Sequence, residues 1–220
     1  MSFEEKIAAR AAQEIRDGQV VNFGIGIPNL ISRFVSSDKS LLIHSENGVL
    51  GMGVPCRSGQ EDRNLIDAGG TYMTIIPGAS FFDSSLSFSL VRGGRLDIAF
   101  LGALEVSEKG DLANWIIPGK FAPGIGGGME LAQKAKRVIV TMTHTTSKGK
   151  PKILRECTLP LTARRCVDLI ITELAVMEVV RDKLFLRQLM SDATVEAVVS
   201  RIEADLIIPE SVPVWVPGQN

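Results

Sequence analysis

The chain opens in a helical rhythm. Phe3, Ile7, Ala8, Ala11, Ala12 and Ile15 recur three or four positions apart, Ser2 and Glu5 make a capping box ahead of them, and Gly18 closes the run. The period then shortens. Val20-Val21-Asn22-Phe23 reads as a strand running into Gly24-Ile25-Gly26-Ile27-Pro28, and residues 29–35 as a helix. Leu41-Leu42-Ile43-His44 predicts the next strand, and Ile75-Ile76 a further short one before Pro77-Gly78. Helical spacing returns at Leu86, Phe88, Leu90 and Val91 and stops at Gly93-Gly94. Asp97-Ile98-Ala99-Phe100-Leu101 and Val138-Ile139-Val140-Thr141-Met142 are almost wholly apolar, as suits parallel strands covered on both faces; a helix around residues 129–135 precedes the second.

Val167-Asp168-Leu169-Ile170-Ile171 and Leu184-Phe185-Leu186 add two more strands, and residues 194–203 a helix with Asp192 as its cap. The proline-rich tail from about Pro209 is expected to be flexible and to trail over the surface. Residues 102–128 show no period, yet they hold Trp115 and Ile116-Ile117, so they read as a functional loop rather than a disordered one. Together these elements predict an α/β fold: a mostly parallel open sheet flanked by helices, in one domain spanning residues 1–220, with no internal repeat or linker.

Composition narrows the partners. Lys and Arg together number 24 against 25 Asp and Glu, and no basic run or aromatic-interleaved patch occurs, which argues against nucleic acid. No apolar run is long enough to span a bilayer, so no membrane partner is expected. The start Met1-Ser2-Phe3-Glu4-Glu5 is unlike a secretory signal. Three cysteines, Cys56, Cys157 and Cys166, have neither disulfide-framework nor zinc-ligand spacing. The expectation is a soluble cytoplasmic protein with no metal and no permanently bound cofactor.

The candidate chemistry lies at Ser45-Glu46-Asn47-Gly48. A carboxylate stands where a buried strand breaks into an Asn-Gly turn, the position at which open α/β sheets collect their ligands. Glu46 is the candidate nucleophile; the plainer alternative is the first solvated residue of an ordinary turn. Gly24-Ile25-Gly26 invites a dinucleotide reading, but the third glycine of that fingerprint is replaced by Asn29. No Walker A pattern and no Gly-x-Ser-x-Gly elbow occurs. His44 and His144 each sit near a strand end, where histidines are more often structural than catalytic. A second glycine cluster, Pro123-Gly124-Ile125-Gly126-Gly127-Gly128, precedes a short helix. With Asn114-Trp115 and Pro118-Gly119-Lys120 upstream it reads as a wall facing an anionic ligand.

These segments, taken in order, resemble the β subunit of the family I coenzyme A transferases, the 3-oxoacid and acetate/acetoacetate type. The resemblance rests on Val21-Asn22-Phe23-Gly24-Ile25-Gly26-Ile27-Pro28, on Ser45-Glu46-Asn47-Gly48 with Leu50-Gly51-Met52-Gly53, and on Phe82-Asp83-Ser84 with Arg92-Gly93-Gly94. It continues through Gly110-Asp111-Leu112-Ala113-Asn114-Trp115, Pro118-Gly119-Lys120 and Gly126-Gly127-Gly128-Met129, over about residues 5–205.

The resemblance implies a transferase in which Glu46 attacks an acyl-CoA, stores the CoA as a glutamyl thioester and passes it to a second acid. Coenzyme A would be a substrate, and the acids short-chain or 3-oxo. It implies that Asn22 lies near the thioester, that Gly24, Gly26, Asn47, Gly48 and Asn114 belong to the substrate and CoA site, that Lys120 pairs with an anionic part of CoA, and that Gly126, Gly127 and Gly128 meet the thiol end and stabilise an oxyanion. At Gly128 the family pattern would put alanine. The resemblance further implies a similar α subunit, which completes the site in a hetero-oligomer. Two other readings share this fold: a protein that binds a CoA thioester or sugar phosphate without turnover, and a sugar-phosphate isomerase or deaminase with a carboxylate base.

Overall fold

The computed structural model describes residues 1–120 and 124–218. Helix α1 (Phe3–Ala12) starts at Ser2, whose side chain accepts from the Glu5 amide while the Glu5 carboxylate accepts from the Ser2 amide. Strand β1 (Val20–Phe23) leads through Gly24 into α2 (Ile27–Leu30) and a tight 3-10 turn (Ile31–Phe34). Next come β2 (Leu42–Ser45), β3 (Val49–Pro55), β4 (Met73–Phe81), α3 (Ser84–Arg92), β5 (Ile98–Leu101), β6 (Glu105–Ser107) and β7 (Leu112–Ala113). The second half holds α4 (Gly128–Lys134), β8 (Arg137–Thr141), β9 (Ile153–Leu154), β10 (Leu169–Ile171), β11 (Ala175–Val180), β12 (Lys183–Met190), α5 (Val195–Val199), β13 (Leu206–Ile207) and β14 (Val214–Trp215).

One large sheet runs in the order β13-β12-β11-β10-β8-β5-β1-β2-β3-β4, with β14 also against β12. Its centre, β10-β8-β5-β1-β2, is parallel, and antiparallel hairpins extend it on both sides. The expected mostly parallel α/β sheet is thus the fold observed. Side-chain alternation feeds two cores. Ile98, Phe100 and Ile139 meet α1 on one face, whereas Ala99, Leu101, Val138 and Val140 meet α3 and α4 on the other. Strand order reverses at β1, which has β2 on one side and β5 on the other, so a crevice opens at their carboxyl ends.

Several expectations change. The unpatterned stretch after β5 contains β6 and β7, which join β9 in a small three-stranded sheet and bury Val106 and Leu112 completely. Strands of two or three residues leave no readable period. Strand β4 runs through Pro77-Gly78 instead of ending before them; it is the sheet's last strand, and an edge tolerates the missing proline N–H.

Helix α3 is turned from its apolar pattern: Ser87 and Val91 face the core and Leu86 is half exposed. The cap of α5 is Thr194, whose hydroxyl accepts from the Ala197 amide, while Asp192 pairs with Lys6 across the structure. The segment beyond Pro209 returns to the sheet as far as Trp215. Val214 and Trp215 pair with β12, and the indole packs into the α1-side core.

Candidate active site

Glu46 is presented by a hairpin. β2 and β3 are antiparallel with Ser45 opposite Val49, and Glu46-Asn47-Gly48 is the loop between them, closed by the Gly48 amide on the Ser45 carbonyl at 3.0 Å. Gly48 adopts φ +119, and a Cβ there would stand 1.9 Å from the Phe82 carbonyl oxygen, so only glycine fits. The Phe82 amide in turn donates to the Gly48 carbonyl at 2.9 Å, which fastens the loop to the end of β4. Asn47 gives its side-chain N–H to the Ile66 carbonyl (2.8 Å), and Ser45 Oγ accepts from the Ala68 amide (3.1 Å). Both neighbours of Glu46 therefore anchor the loop, and neither engages its carboxylate.

Asn22, on the neighbouring strand β1, donates from Nδ2 to Glu46 Oε2 at 3.1 Å and to the His44 carbonyl at 3.1 Å. Asn22 is 1% exposed, and its Oδ1 has no hydrogen-bond partner among the described residues. His44 Nδ1 lies 3.4 Å from Asn22 Nδ2, and His44 Nε2 lies 2.9 Å from Ser87 Oγ on α3. Burial pushes the His44 imidazole down to about 4, so it is neutral at ordinary pH.

The second glycine cluster closes in from the α3/α4 side. Gly127 caps α4, and a Cβ added there would lie 3.2 Å from Glu46 Cγ and 2.9 Å from the Phe88 ring. At Gly128 a Cβ would meet only Asn114 and Thr162, at 3.8 Å or more, so the alanine of the family pattern would fit. The Gly128 amide donates to Ile125 at 3.1 Å. Asn114 lies beneath this turn with its side chain engaged inside the protein: Nδ2 donates to the Gly102 carbonyl (3.2 Å) and Oδ1 accepts from Thr162 Oγ1 (2.6 Å).

Gly24 closes the β1 end on β5, its amide 2.8 Å from the Phe100 carbonyl; Gly26, at φ +88, opens α2. Gly26, with Phe23, Ile43, Met52 and Met73, lines a cavity of about 350 Å³ on the opposite face of the sheet from Asn22, reached also by Asn29, Arg33 and Asp67. Lys120 is exposed in a turn, and Pro123 lies outside the described residues.

Among the other titratable groups, His144 is a tie: Nδ1 meets Thr172 Oγ1 at 3.0 Å and Nε2 donates to the Val198 carbonyl at 3.2 Å. Burial raises the thiols of Cys157 and Cys166 to about 12, which leaves them protonated and poorly nucleophilic. Among the described residues no group of three or more His, Cys, Asp and Glu side chains is placed to hold a metal. No helix among them is long and apolar enough to cross a membrane.

Sequence reasoning missed Ser87 and Phe88 as neighbours of the site, and left His44 without a role. A signal existed for Ser87: it is the polar residue four positions before Val91, on the face that α3 turns inward.

Comparison with known proteins identifies the family. The family profile described as Coenzyme A transferase matches residues 4–201. The beta chain of a probable coenzyme A transferase of Bacillus subtilis is 52% identical over 93% of this chain and 94% of its own length. The corresponding chain of a probable succinyl-CoA:3-ketoacid coenzyme A transferase of the same organism is 45% identical over 94% of this chain and 96% of its own. The apoenzyme structure of the acyl-CoA transferase YdiF from Escherichia coli O157:H7 superimposes with a TM-score of 0.77 at 22% identity, covering 98% of this chain and 44% of that one, and so shares the fold. With a profile spanning nearly all of its length and relatives 45–52% identical over almost their whole length, this chain belongs to the coenzyme A transferase family.

Proposed function

We propose that this chain is the nucleophile-bearing β subunit of a transferase that moves coenzyme A from an acyl-CoA to a short-chain or 3-oxo carboxylic acid, with Glu46 as the covalent carrier. The observation that carries the reading is the Asn22 N–H aimed at Glu46 Oε2, which leaves the other carboxylate oxygen for attack. That oxygen adds to the thioester carbonyl; the C–S bond breaks, CoA leaves as thiolate and a mixed anhydride remains on Glu46. The thiolate then attacks the glutamyl carbonyl carbon, the bond from that carbon to the bridging oxygen breaks, and the first acid departs as its carboxylate, taking that oxygen with it. A second carboxylate reverses both steps and leaves as the new acyl-CoA. No water is consumed, so the thioester's free energy is conserved, and the kinetics are ping-pong.

Within this scheme Asn22 stays with the same oxygen as it turns from carboxylate to carbonyl to tetrahedral oxyanion, which is where a fixed donor gains strength. The backbone of Gly126 and Gly127 is the further donor wall, and its freedom from side chains admits the thiol end of CoA. Gly128, whose amide is spoken for by Ile125, shapes this wall, as Asn114 does from below and Asn47 from the side. Gly24 and Gly26 border the crevice at the end of β1, and the exposed Lys120 suits a CoA phosphate. An α subunit supplies the rest of the site, in keeping with the subunit names of the half-identical relatives.

Peptide mass spectrometry of the assembled complex tests this reading. After incubation with acetoacetyl-CoA, the peptide containing Glu46 is expected to carry CoA, to lose it when a carboxylic acid is added, and to stay unmodified in Glu46→Ala. Tight acyl-CoA binding without any adduct would replace the reading with a non-catalytic CoA-thioester or sugar-phosphate binding protein.

A further inference from the structure

Three polar atoms face the Asn22 amide nitrogen at one point: the acceptors Glu46 Oε2 at 3.1 Å and the His44 carbonyl at 3.1 Å, and the ring nitrogen His44 Nδ1 at 3.4 Å. The nitrogen has two hydrogens, one for the carboxylate and one shared between carbonyl and ring. The other end of the amide, Oδ1, is buried and finds no partner among the described residues, so nothing there holds the side chain in place. An asparagine amide is symmetric in shape. Which end points at Glu46 is decided by the groups around Nδ2 alone.

We propose that His44, backed by Ser87, is a positioning residue that fixes the N–H end of Asn22 toward Glu46; the idea rests on the transferase reading for its catalytic consequence. The requirement is a lone pair on His44 Nδ1. That demands the proton on Nε2, where Ser87 Oγ stands 2.9 Å away to accept it. With this tautomer, a flipped Asn22 would press Oδ1 against a carboxylate oxygen, a carbonyl oxygen and a ring lone pair together. With the opposite tautomer, the ring N–H would oppose the Asn22 N–H and weaken the hold that the carboxylate and the carbonyl have on it. His44 is 3% exposed and Ser87 fully buried, so water does not replace either contact. Ser87 is itself held by α3, whose first turn is capped by Asp83 on the Leu86 amide at 2.8 Å. The neutrality that burial imposes on His44 leaves one ring nitrogen able to accept at ordinary pH. The chain therefore carries a line Ser87, His44, Asn22, Glu46 that crosses from helix to strand to strand to loop.

The test uses the complex assembled with its α partner. His44→Leu removes the ring acceptor and is expected to lower kcat roughly tenfold while KM for acyl-CoA moves less than about threefold, because His44 touches Asn22 and not the substrate. His44→Gln presents an oxygen to Asn22 and an N–H to Ser87, and is expected to restore kcat to within about threefold of wild type. Ser87→Ala releases the tautomer and is expected to fall between them.

Equal kcat in the Leu and Gln variants, whether high or low, would overturn the proposal. Should His44→Leu not fold, Ser87→Ala with unaltered kcat would overturn it. A ring-15N label on the two histidines of this chain, read in the wild-type complex, decides independently of activity: a proton on Nε2 of His44 supports the relay and a proton on Nδ1 overturns it. Absence of acyl transfer in the wild-type complex would remove the functional reading and leave that label to judge the relay.

Discussion

At the scale of single residues, the site is set by one position that must be glycine and one acid that must be free. Gly48 shows the first condition most sharply. Alanine there would be strained at φ +119 and would drive its methyl into the Phe82 carbonyl, so Gly48→Ala is expected to cost more than about 3 kcal/mol in urea unfolding. Glu46 was legible in the sequence as an acid at a strand end before Asn-Gly, because that requires only neighbouring residues. Asn22 entered only through the resemblance and Ser87 not at all, because Asn22 lies 24 positions from Glu46 and Ser87 lies 43 positions from His44, the residue it meets.

His44 also makes a pH prediction. Its folded value of about 4 lies below the ordinary value of 6.5 because burial disfavours the charged ring. The unfolded chain therefore binds more protons between these two values. Stability is expected to fall as pH drops from about 6.5 to 4, by up to about 3 kcal/mol from this residue, and to gain no further loss from it below that window. The difference in unfolding free energy between wild type and His44→Gln, measured from pH 4 to 7, isolates this contribution; a pH-independent difference would contradict it.

At the scale of elements, α3 and α4 act as a pair that presses glycine backbone onto Glu46. Phe88 of α3 lies against Gly127, and Arg92 of α3 grips Glu130 of α4 through two contacts at 2.9 and 2.7 Å. That ion pair is largely solvated, with side chains 48% and 33% exposed, and Arg92→Ala is expected to change stability by less than about 1 kcal/mol. The glycines differ more. Gly127→Ala must displace the Phe88 ring and crowd Glu46, and is expected to lower kcat roughly tenfold with the fold intact; Gly128→Ala meets ordinary contacts and should stay within about twofold of wild type. Steady-state kinetics of the two variants, with circular dichroism as the control, compare them directly. The helices themselves were readable from spacing and glycine stops, but the rotation of α3 was not. Its apolar residues are distributed around the helix, and only the neighbouring sheet selects Ser87 and Val91 for the interior.

At the scale of the whole molecule, a parallel centre between antiparallel flanks brings the ends of β1, β2 and β5 to one edge, where Asn22, Glu46 and Gly24 gather. The far flank is closed by the chain's last strand. Trp215 is 4% exposed in the α1-side core, and the Leu189 amide donates to Pro213 at 2.9 Å. Trp215→Ala is expected to destabilise the protein by about 3–5 kcal/mol, seen as a lower urea midpoint, since it empties a large core volume. A surface tail would give no measurable change.

The sequence by itself determined the first helix and those around α3 and α4, the wholly apolar central strands, the capping box at Ser2 and the acid at a strand end, because periodicity, caps and turn residues act within a few positions, but it showed neither β3 nor β11. Only the tertiary structure decided the order of the strands, the small sheet built from β6, β7 and β9, the anchoring of β14, and the meeting of Ser87, His44, Asn22, Glu46 and Gly127. Those are pairings between distant segments. They follow from which faces can be buried together, and that choice is made by the packed whole rather than by any stretch of chain.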